Sequence, residues 1–190
     1  DIINKIDSLE LDTSFYFDFW KRNCVNIVAD YRKRFFKSSV RDSMMAQNTI
    51  WHSQNNADTK IILWSANTHL SRNLSSIQKP GYDFTTLGQF LAGHYKDRYY
   101  FIAFTQNYGR GGYSNVLSYK FKPASKLSVE YVIDSFSNKS DYIFWDIRSV
   151  TKGENNGTIN TKFFGNKEIP MNIYSVCDGI FYSKEMTVPK

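Results

Sequence analysis

The residue with the clearest chemical potential in this 190-residue sequence is His69, in the run Trp64-Ser65-Ala66-Asn67-Thr68-His69. The run follows a short, largely apolar stretch, 60–64, which predicts a strand buried on both faces. Catalytic groups of open α/β sheets collect at the carboxyl ends of strands. An imidazole there is suited to general acid or base work near neutral pH. A loop histidine bonded to backbone is the plain alternative, and it is the stronger reading for an isolated histidine.

A second candidate group lies on a helix predicted over 39–54. Arg41 and Asn48 are seven residues apart and therefore share one helical face, with Met44 and Met45 between them. Such a mixed face suits the wall of a polar pocket, in which an arginine clamps a carboxylate or stabilises an oxyanion. An ion pair between Arg41 and a neighbouring carboxylate explains the spacing equally well.

Several familiar site signatures are absent from the sequence. It has no G-x-S-x-G elbow, no phosphate-binding G-x-x-x-x-G-K-[ST] or G-x-G-x-x-G loop, and no cluster with zinc-ligand spacing. We therefore expect no cofactor and no metal.

The elements that must position these residues alternate between helices and strands. An apolar stripe from Tyr16 to Phe35 predicts a long helix, and 85–94 and 127–137 predict two more. Strands are predicted at 60–64, 99–104, 115–122, 142–147, 161–165 and 178–183, with a turn at 109–112. This alternation predicts a single α/β domain, residues 1–190, with a mixed, largely parallel sheet flanked by helices.

Composition limits the class of protein. A hydrophobic share of 42% and an aromatic share of 17% exclude intrinsic disorder. No stretch approaches the ~18 apolar residues of a membrane-spanning helix. Cys24 and Cys177 form no C-x-x-C motif, so one long-range disulfide or, more simply, two free thiols fit the sequence.

The net charge of +6 permits an anionic partner such as a nucleic acid. The basic residues are scattered, however, and the one tight cluster, 32–34, falls in the last turns of a predicted helix, where cations suit the helix dipole. We therefore expect no nucleic-acid partner and keep nucleic-acid binding as the weakest hypothesis.

Two neighbouring segments resemble the erythromycin esterase-like family. Residues 41–51 resemble the family's R-D-x-x-M-A-x-N-x-x-W helix, and residues 60–69 resemble its strand and W-x-H-N-x-H loop. Weaker likenesses follow in the family's order, at Leu87-Gly88-Gln89-Phe90-Leu91, Tyr99, Ala103-Phe104, Asp146-Ile147-Arg148, and Tyr174 through Asp178-Gly179 to Tyr182.

The resemblance implies an α/β fold and hydrolysis of an ester or lactone, macrolide antibiotics being the best-known substrates. Water is activated in that family by His and Glu residues without a required metal. By resemblance His69 and Arg41 are the catalytic candidates. Asn67, Asn48 and Trp64 are the candidates for binding a small-molecule substrate.

The sequence departs from the family pattern at two points, and these departures leave two interpretations of the chain. Ala66 stands where the first loop histidine belongs, and the family's G-E-x-x-H strand end does not occur. We therefore expect the chain to correspond to the C-terminal half of a larger protein, with the missing N-terminal half as a partner that covers some of the aromatic side chains. The alternative is a non-catalytic binding or scaffold domain of the same fold. Cytoplasmic and exported locations are both compatible with the sequence.

Overall fold

The structure is a computed structural model, and it describes part of the chain. The described residues are 15–36, 40–56, 59–77, 79–112, 118–137, 140–150, 157–165 and 167–187, without the side chains of 15, 16 and 32–36. Residue 39, the first of the helix predicted over 39–54, and the basic side chains at 32–34 therefore lie outside the described part of the chain. The chain divides into two compact units, Asp1–Ile62 and Leu63–Lys190.

The first unit contains the two predicted helices. Helix α1 spans Phe15–Phe36 and helix α2 spans Val40–Gln54, which confirms both predictions. Ala29 and Ala46 are buried, as expected where small side chains let two helices approach closely. Asp42 is buried in the first turn of α2, where a carboxylate interacts favourably with the helix dipole. None of the described helices combines the length and apolar character needed to cross a membrane.

The second unit contains six described strands and four further helices. The strands are β1 (Ile102–Gly112), β2 (Ser118–Phe121), β3 (Tyr142–Asp146), β4 (Ile159–Thr161), β5 (Ile169–Met171) and β6 (Gly179–Met186). The helices are α3 (Asn67–Leu70), α4 (Leu87–Tyr95), α5 (Val129–Phe136) and α6 (Ile173–Val176), with a 3₁₀ turn at Lys96–Arg98.

The main sheet is mixed, as predicted. Its order is β2-β1-β6-β3, and β4 pairs with β5 in a separate two-stranded sheet. Strands β1 and β6 run parallel, whereas the β1–β2, β3–β6 and β4–β5 pairs are antiparallel. The fold is thus an α/β arrangement with helices beside a mixed sheet, and its parallel share is smaller than the sequence pattern indicated.

Residues 60–64, predicted as a buried strand, form no strand. Ile62 is 91% exposed and Trp64 is 83% exposed. A short apolar run does not by itself distinguish a buried strand from an extended connection. Whether such a run becomes a strand depends on a neighbouring strand with which it can pair, and the periodicity of the sequence does not show whether that neighbour exists.

The predicted turn at 109–112 is also wrong, because these residues continue β1 and pair with β2. Gly109 has a φ of +140°, and a Cβ built there would lie 2.2 Å from the carbonyl oxygen of Met186. Glycine is therefore required for the close approach of β1 to β6 rather than for reversing the chain.

The other predicted strands differ from the structure mainly in their bounds. The strand predicted at 161–165 lies at Ile159–Thr161, and the strand predicted at 178–183 continues to Met186. In 115–122 the described strand begins at Ser118, since 113–117 lie outside the described residues. Strand β5 and helix α6 are three and four residues long, and periodicity did not predict them.

We predict opposite effects for two alanine substitutions on helix α4. A Cβ at Gly88 would lie 2.1 Å from the carbonyl oxygen of Leu70, whereas a Cβ at Gly93 meets nothing within 4 Å. Gly88→Ala should lower the free energy of unfolding by at least about 3 kcal/mol, the upper end of overpacking costs. Gly93→Ala should raise it by about 0.5–1 kcal/mol, since alanine restricts the unfolded chain. Urea denaturation measures both, and equal effects would contradict the proposed contact.

Candidate functional site

Helix α3, which carries His69, is held by the side chain of its first residue. Asn67 Oδ1 accepts a hydrogen bond from the backbone N–H of Phe104 at 3.1 Å, and Asn67 Nδ2 donates to the Phe104 carbonyl at 2.6 Å. The same Nδ2 donates to the carbonyl of Phe163 at 2.7 Å. A four-residue helix has little stability of its own. The Asn67 amide stabilises helix α3, because it both donates to and accepts from the Phe104 backbone, as the backbone of a neighbouring strand would.

The carboxyl end of helix α3 is fixed by three further contacts. The Tyr99 hydroxyl donates to the Leu70 carbonyl at 2.6 Å, and the Thr86 hydroxyl donates to the Ser71 carbonyl at 2.6 Å. Burial raises the pKa of the Tyr99 phenol, so it remains a donor. Gly88 lets helix α4 lie directly against Leu70. The carbonyls of Leu70, the last residue of α3, and of Ser71, which follows it, thereby gain hydrogen-bond partners that the helix itself does not supply.

His69 lies in the last turn of this fixed helix. Its side chain is half-buried, and its ring centroid is 6.4 Å from that of Phe84. Its backbone N–H donates to the Ala66 carbonyl at 2.9 Å. The imidazole is thus reachable from solvent on a backbone with little freedom. A group that transfers protons during catalysis needs this combination.

Trp64 lies at the start of the same loop and contacts β1. Its ring centroid is 5.0 Å from that of Phe104, the residue to which Asn67 bonds. Two contacts of different kinds therefore attach the loop 64–69 to one residue of β1. The exposed Trp64 ring fits its predicted role in binding substrate, which stays a prediction.

Asn67 differs from the predicted substrate-binding role in one respect. Both N–H groups of the Asn67 amide point at backbone carbonyls, those of Phe104 and Phe163. The geometry therefore gives Asn67 the task of positioning the loop. Direct contact of Asn67 with substrate stays a prediction.

Arg41 and Asn48 lie on helix α2 of the first unit, and Arg41 lines a small pocket between α1 and α2. Asn48 Nδ2 donates to Asn26 Oδ1 at 3.1 Å, and Asn26 also lines the pocket. The pocket has a volume of about 210 Å³ and is lined by Asn26, Ala29, Asp30, Val40, Arg41, Met44 and Met45. Of the predicted face, Arg41, Met44 and Met45 line this pocket and Asn48 does not. The roles of Arg41 and Asn48 toward a substrate stay predictions. The convergence of Arg41 and His69 on one cleft stays a prediction.

The strongest electrostatic centre of the second unit is the buried carboxylate of Asp178. Arg72 Nη1 lies 3.0 Å from both of its oxygens, and Arg148 Nε donates to Oδ1 at 2.8 Å. The backbone N–H of Phe101 donates to Oδ2 at 2.8 Å. The Asp178 side chain is 7% exposed. Hydrogen bonds to a charged carboxylate are among the strongest in proteins, so this centre joins distant parts of the chain.

Arg148 also connects the centre to Tyr100 and to the loop before β1. Its guanidinium carbon lies 4.7 Å from the centroid of the Tyr100 ring, and its Nη2 donates to the Tyr99 carbonyl. The Tyr100 hydroxyl donates to Asp146 Oδ1 at 2.8 Å. Burial, with help from Asp146, raises the pKa of Tyr100 to about 12. All these groups lie at the amino ends of β1 and β6, which indicates a structural centre rather than a catalytic one.

A second polar cluster lies beneath the sheet and is closed to substrate. Glu130 is fully buried, and its Oε1 accepts hydrogen bonds from the hydroxyls of Thr105 and Thr161 at 2.6 and 2.7 Å. The ammonium group of Lys162 donates to the Asn107 carbonyl at 2.6 Å, and burial lowers its pKa. Because Glu130 has no exposed surface, it cannot act on a bound ester as the resemblance would require of a catalytic Glu.

Neither cysteine forms a disulfide, and the two differ in their surroundings. Cys24 is exposed and Cys177 is buried. Burial raises the pKa of the Cys177 thiol, which leaves it protonated and a poor nucleophile. Among the residues that the structure describes, no three His, Cys, Asp or Glu side chains group as metal ligands would.

Sequence reasoning missed Arg72 and the pairing of Asp178. Arg72 and Asp178 are 106 residues apart, and no spacing rule connects them. The sequence showed only weak likenesses to the family at Asp146-Ile147-Arg148 and Asp178-Gly179. Their shared role depends on the tertiary fold.

Comparison with protein-family models assigns the chain to a family. The family model described as erythromycin esterase matches residues 18–176, which is most of the sequence. The chain belongs to the erythromycin esterase family. No curated protein matches it by sequence.

Solved structures share the erythromycin esterase fold of this chain. A succinoglycan biosynthesis protein is similar at 17% identity and a TM-score of 0.64, over 78% of this chain and 38% of its own. A protein from Bacillus cereus is similar at 21% identity and a TM-score of 0.59, over 77% and 38%. A mutant of the erythromycin esterase EreC in its open conformation is similar at 21% identity and a TM-score of 0.56, over 84% and 41%. The chain therefore spans about two fifths of the length of these proteins.

We predict that Asn67→Asp destabilises the second unit. An aspartate retains the acceptor for the Phe104 N–H but places a carboxylate oxygen beside the carbonyls of Phe104 and Phe163. The loss should be about 1–3 kcal/mol, as for a buried polar group without its partner. Asn73→Asp is the matched control, because Asn73 Oδ1 only accepts, from the Ser75 N–H at 2.8 Å. Equal unfolding free energies of the two variants would contradict the positioning role.

We also predict a large effect of Asp178→Asn. The amide loses the charge that compensates Arg72 and Arg148. Unfolding free energy should fall by about 3 kcal/mol, the lower end of the cost of breaking a buried pair, since both guanidinium groups are partly exposed. Asp141→Asn, at an exposed position, is the control and should be nearly neutral. Thermal and urea denaturation measure the unfolding free energy of both variants. An unchanged unfolding free energy in Asp178→Asn would disprove the central role of this carboxylate.

Proposed function

We propose that this chain is part of a hydrolase of esters or lactones, in which His69 acts as general acid and base. The observation that supports it most directly is a half-exposed imidazole on a helix fixed at both ends, in a chain that belongs to the erythromycin esterase family. A macrolide-type lactone or another uncharged ester is the proposed substrate class.

The proposed reaction uses water as the nucleophile. The neutral His69 imidazole accepts a proton from water while the water oxygen attacks the carbonyl carbon of the ester. Arg41, through its permanent positive charge, stabilises the oxyanion of the tetrahedral intermediate. The intermediate expels the alkoxide, which takes the proton from the imidazolium of His69. The products are a carboxylic acid and an alcohol, and no cofactor takes part.

A second candidate function is a non-catalytic binding domain of the same fold, and Ala66 favours it. Ala66 lies at the amino end of α3, is exposed, and makes no side-chain cap bond. The family resemblance places a histidine there, and a methyl group transfers no proton. A site with one histidine in place of two is expected to bind esters more readily than it cleaves them.

The prediction that tests this proposal concerns His69. In the full-length native protein, His69→Ala should lower kcat/KM for p-nitrophenyl esters or erythromycin by about 10²–10⁴-fold, the usual contribution of a general acid–base group. His94→Ala, at an exposed position on α4, is the matched control and should retain activity.

Two outcomes separate the candidates. Turnover that His69→Ala leaves unchanged excludes His69 as the proton carrier. Absence of turnover on every ester, together with activity gained by Ala66→His, identifies the native protein as a binding domain that lost catalysis at residue 66.

A further inference from the structure

The two faces of the main sheet have different surroundings. On β1 and β6 the side chains of Ala103, Ile180 and Tyr182 have no exposed surface, and helix α5 lies on their side of the sheet. The residues next to these along each strand, Phe104 on β1 and Phe181 on β6, point to the opposite face. Side chains alternate between faces along a strand, so in the described part of the second unit one face is buried and the other carries exposed side chains.

The open face carries a connected group of aromatic rings, which we call the aromatic face: Trp64, Phe104, Tyr142, Phe144 and Phe181. The ring centroids of Trp64 and Phe104 are 5.0 Å apart, those of Phe104 and Phe181 5.2 Å, and those of Phe181 and Tyr142 6.2 Å. Phe104, Phe181 and Phe144 are direct neighbours across three strands. Their exposed fractions include 83% for Trp64, 63% for Tyr142, 52% for Phe144 and 42% for Phe104.

Gly179 shows how closely the rings of this face pack. A Cβ at Gly179 would lie 2.9 Å from a carbon of the Phe144 ring and 2.9 Å from the Tyr100 hydroxyl. The missing side chain lets the Phe144 ring lie close to the backbone of β6. The aromatic face is therefore an ordered apolar surface rather than a set of unrelated exposed rings.

Such a surface is unusual on a sheet that contains a parallel pair. Parallel strands are normally covered on both faces, and large exposed apolar patches mark interaction sites. Small-molecule sites, in contrast, are concave and enclose most of their ligand. The aromatic face extends over three strands. A surface of that width suits packing against another layer of polypeptide.

The family comparison favours one source for such a layer. The chain matches 38–41% of the length of the solved family structures, so most of their polypeptide has no counterpart in it. A second copy is the poorer candidate, because two faces of chains with a net charge of +6 would meet. We propose that the aromatic face is the docking surface for the unmatched part of the same gene product, which covers it with an apolar layer. This inference rests on family membership and not on the hydrolysis proposed above.

The test compares the full native gene product with the 190-residue chain, using Trp64 as the probe. The difference between wild type and Trp64→Phe isolates the emission of Trp64 from the other tryptophans. In the full product this emission should be blue-shifted and severalfold less quenched by acrylamide than in the 190-residue chain. Trp64 equally exposed in both would overturn the proposal, as would a native product with no further polypeptide.

A surface variant provides a second measurement. Tyr142→Lys should lower the melting temperature of the full product while leaving that of the 190-residue chain nearly unchanged, because Tyr142 is already exposed there. Tyr119→Lys, an exposed aromatic of β2 outside the aromatic face, should be neutral in both. Dimerisation of the 190-residue chain that shields Trp64, without shielding in the full product, would assign the face to a second copy and overturn the proposal. Ester hydrolysis is measured separately, so failure here leaves the function test intact.

Discussion

The buried carboxylate of Asp178 is the interaction on which the second unit most depends. Asp178 precedes β6, and its side chain binds the backbone of Phe101 just before β1, so it fixes the start of the parallel pair. Arg72 brings in the loop after helix α3, and Arg148 brings in the segment after β3. Four segments distant in sequence therefore meet at one charge. Its compensation by two guanidinium groups and an N–H makes burial of that charge tolerable.

That centre has a consequence for the candidate site at His69. Arg72 follows helix α3 directly, and its backbone N–H donates to the Val176 carbonyl at 2.9 Å. Helix α3 is thus fixed at its amino end by Asn67 and just beyond its carboxyl end by Arg72. The backbone that carries the imidazole is therefore held by interactions on both sides of it. A proton-transfer group gains most from such support, because small displacements are costly to catalysis.

The helix at Phe15–Phe36 could be predicted from sequence, because its apolar residues recur at the helical period. The helix at Val40–Gln54 was predicted from the residue spacing at 39–42 and the run that follows it. The alternation of helical and strand patterns predicted the mixed α/β class. Residues 60–64 were misread because the apolar run lacked information about its pairing partner. For the candidate site, His69 was singled out by its place after the apolar run 60–64, and the family resemblance added Asn67. The bonds from Asn67 to Phe104 and Phe163 cross 37 and 96 residues of sequence, and no local pattern encodes them.

The aromatic face and the candidate site share the loop 64–69. Trp64 is one of the aromatic rings, and His69 lies five residues further along the same loop. A polypeptide layer that covers the aromatic face must contact Trp64 and so come close to the loop that carries His69. Ala66, in the middle of this loop, leaves hydrolysis without a second proton carrier from the loop itself. The two proposals therefore meet at one segment, because a layer that packs on Trp64 lies close to the backbone that carries His69.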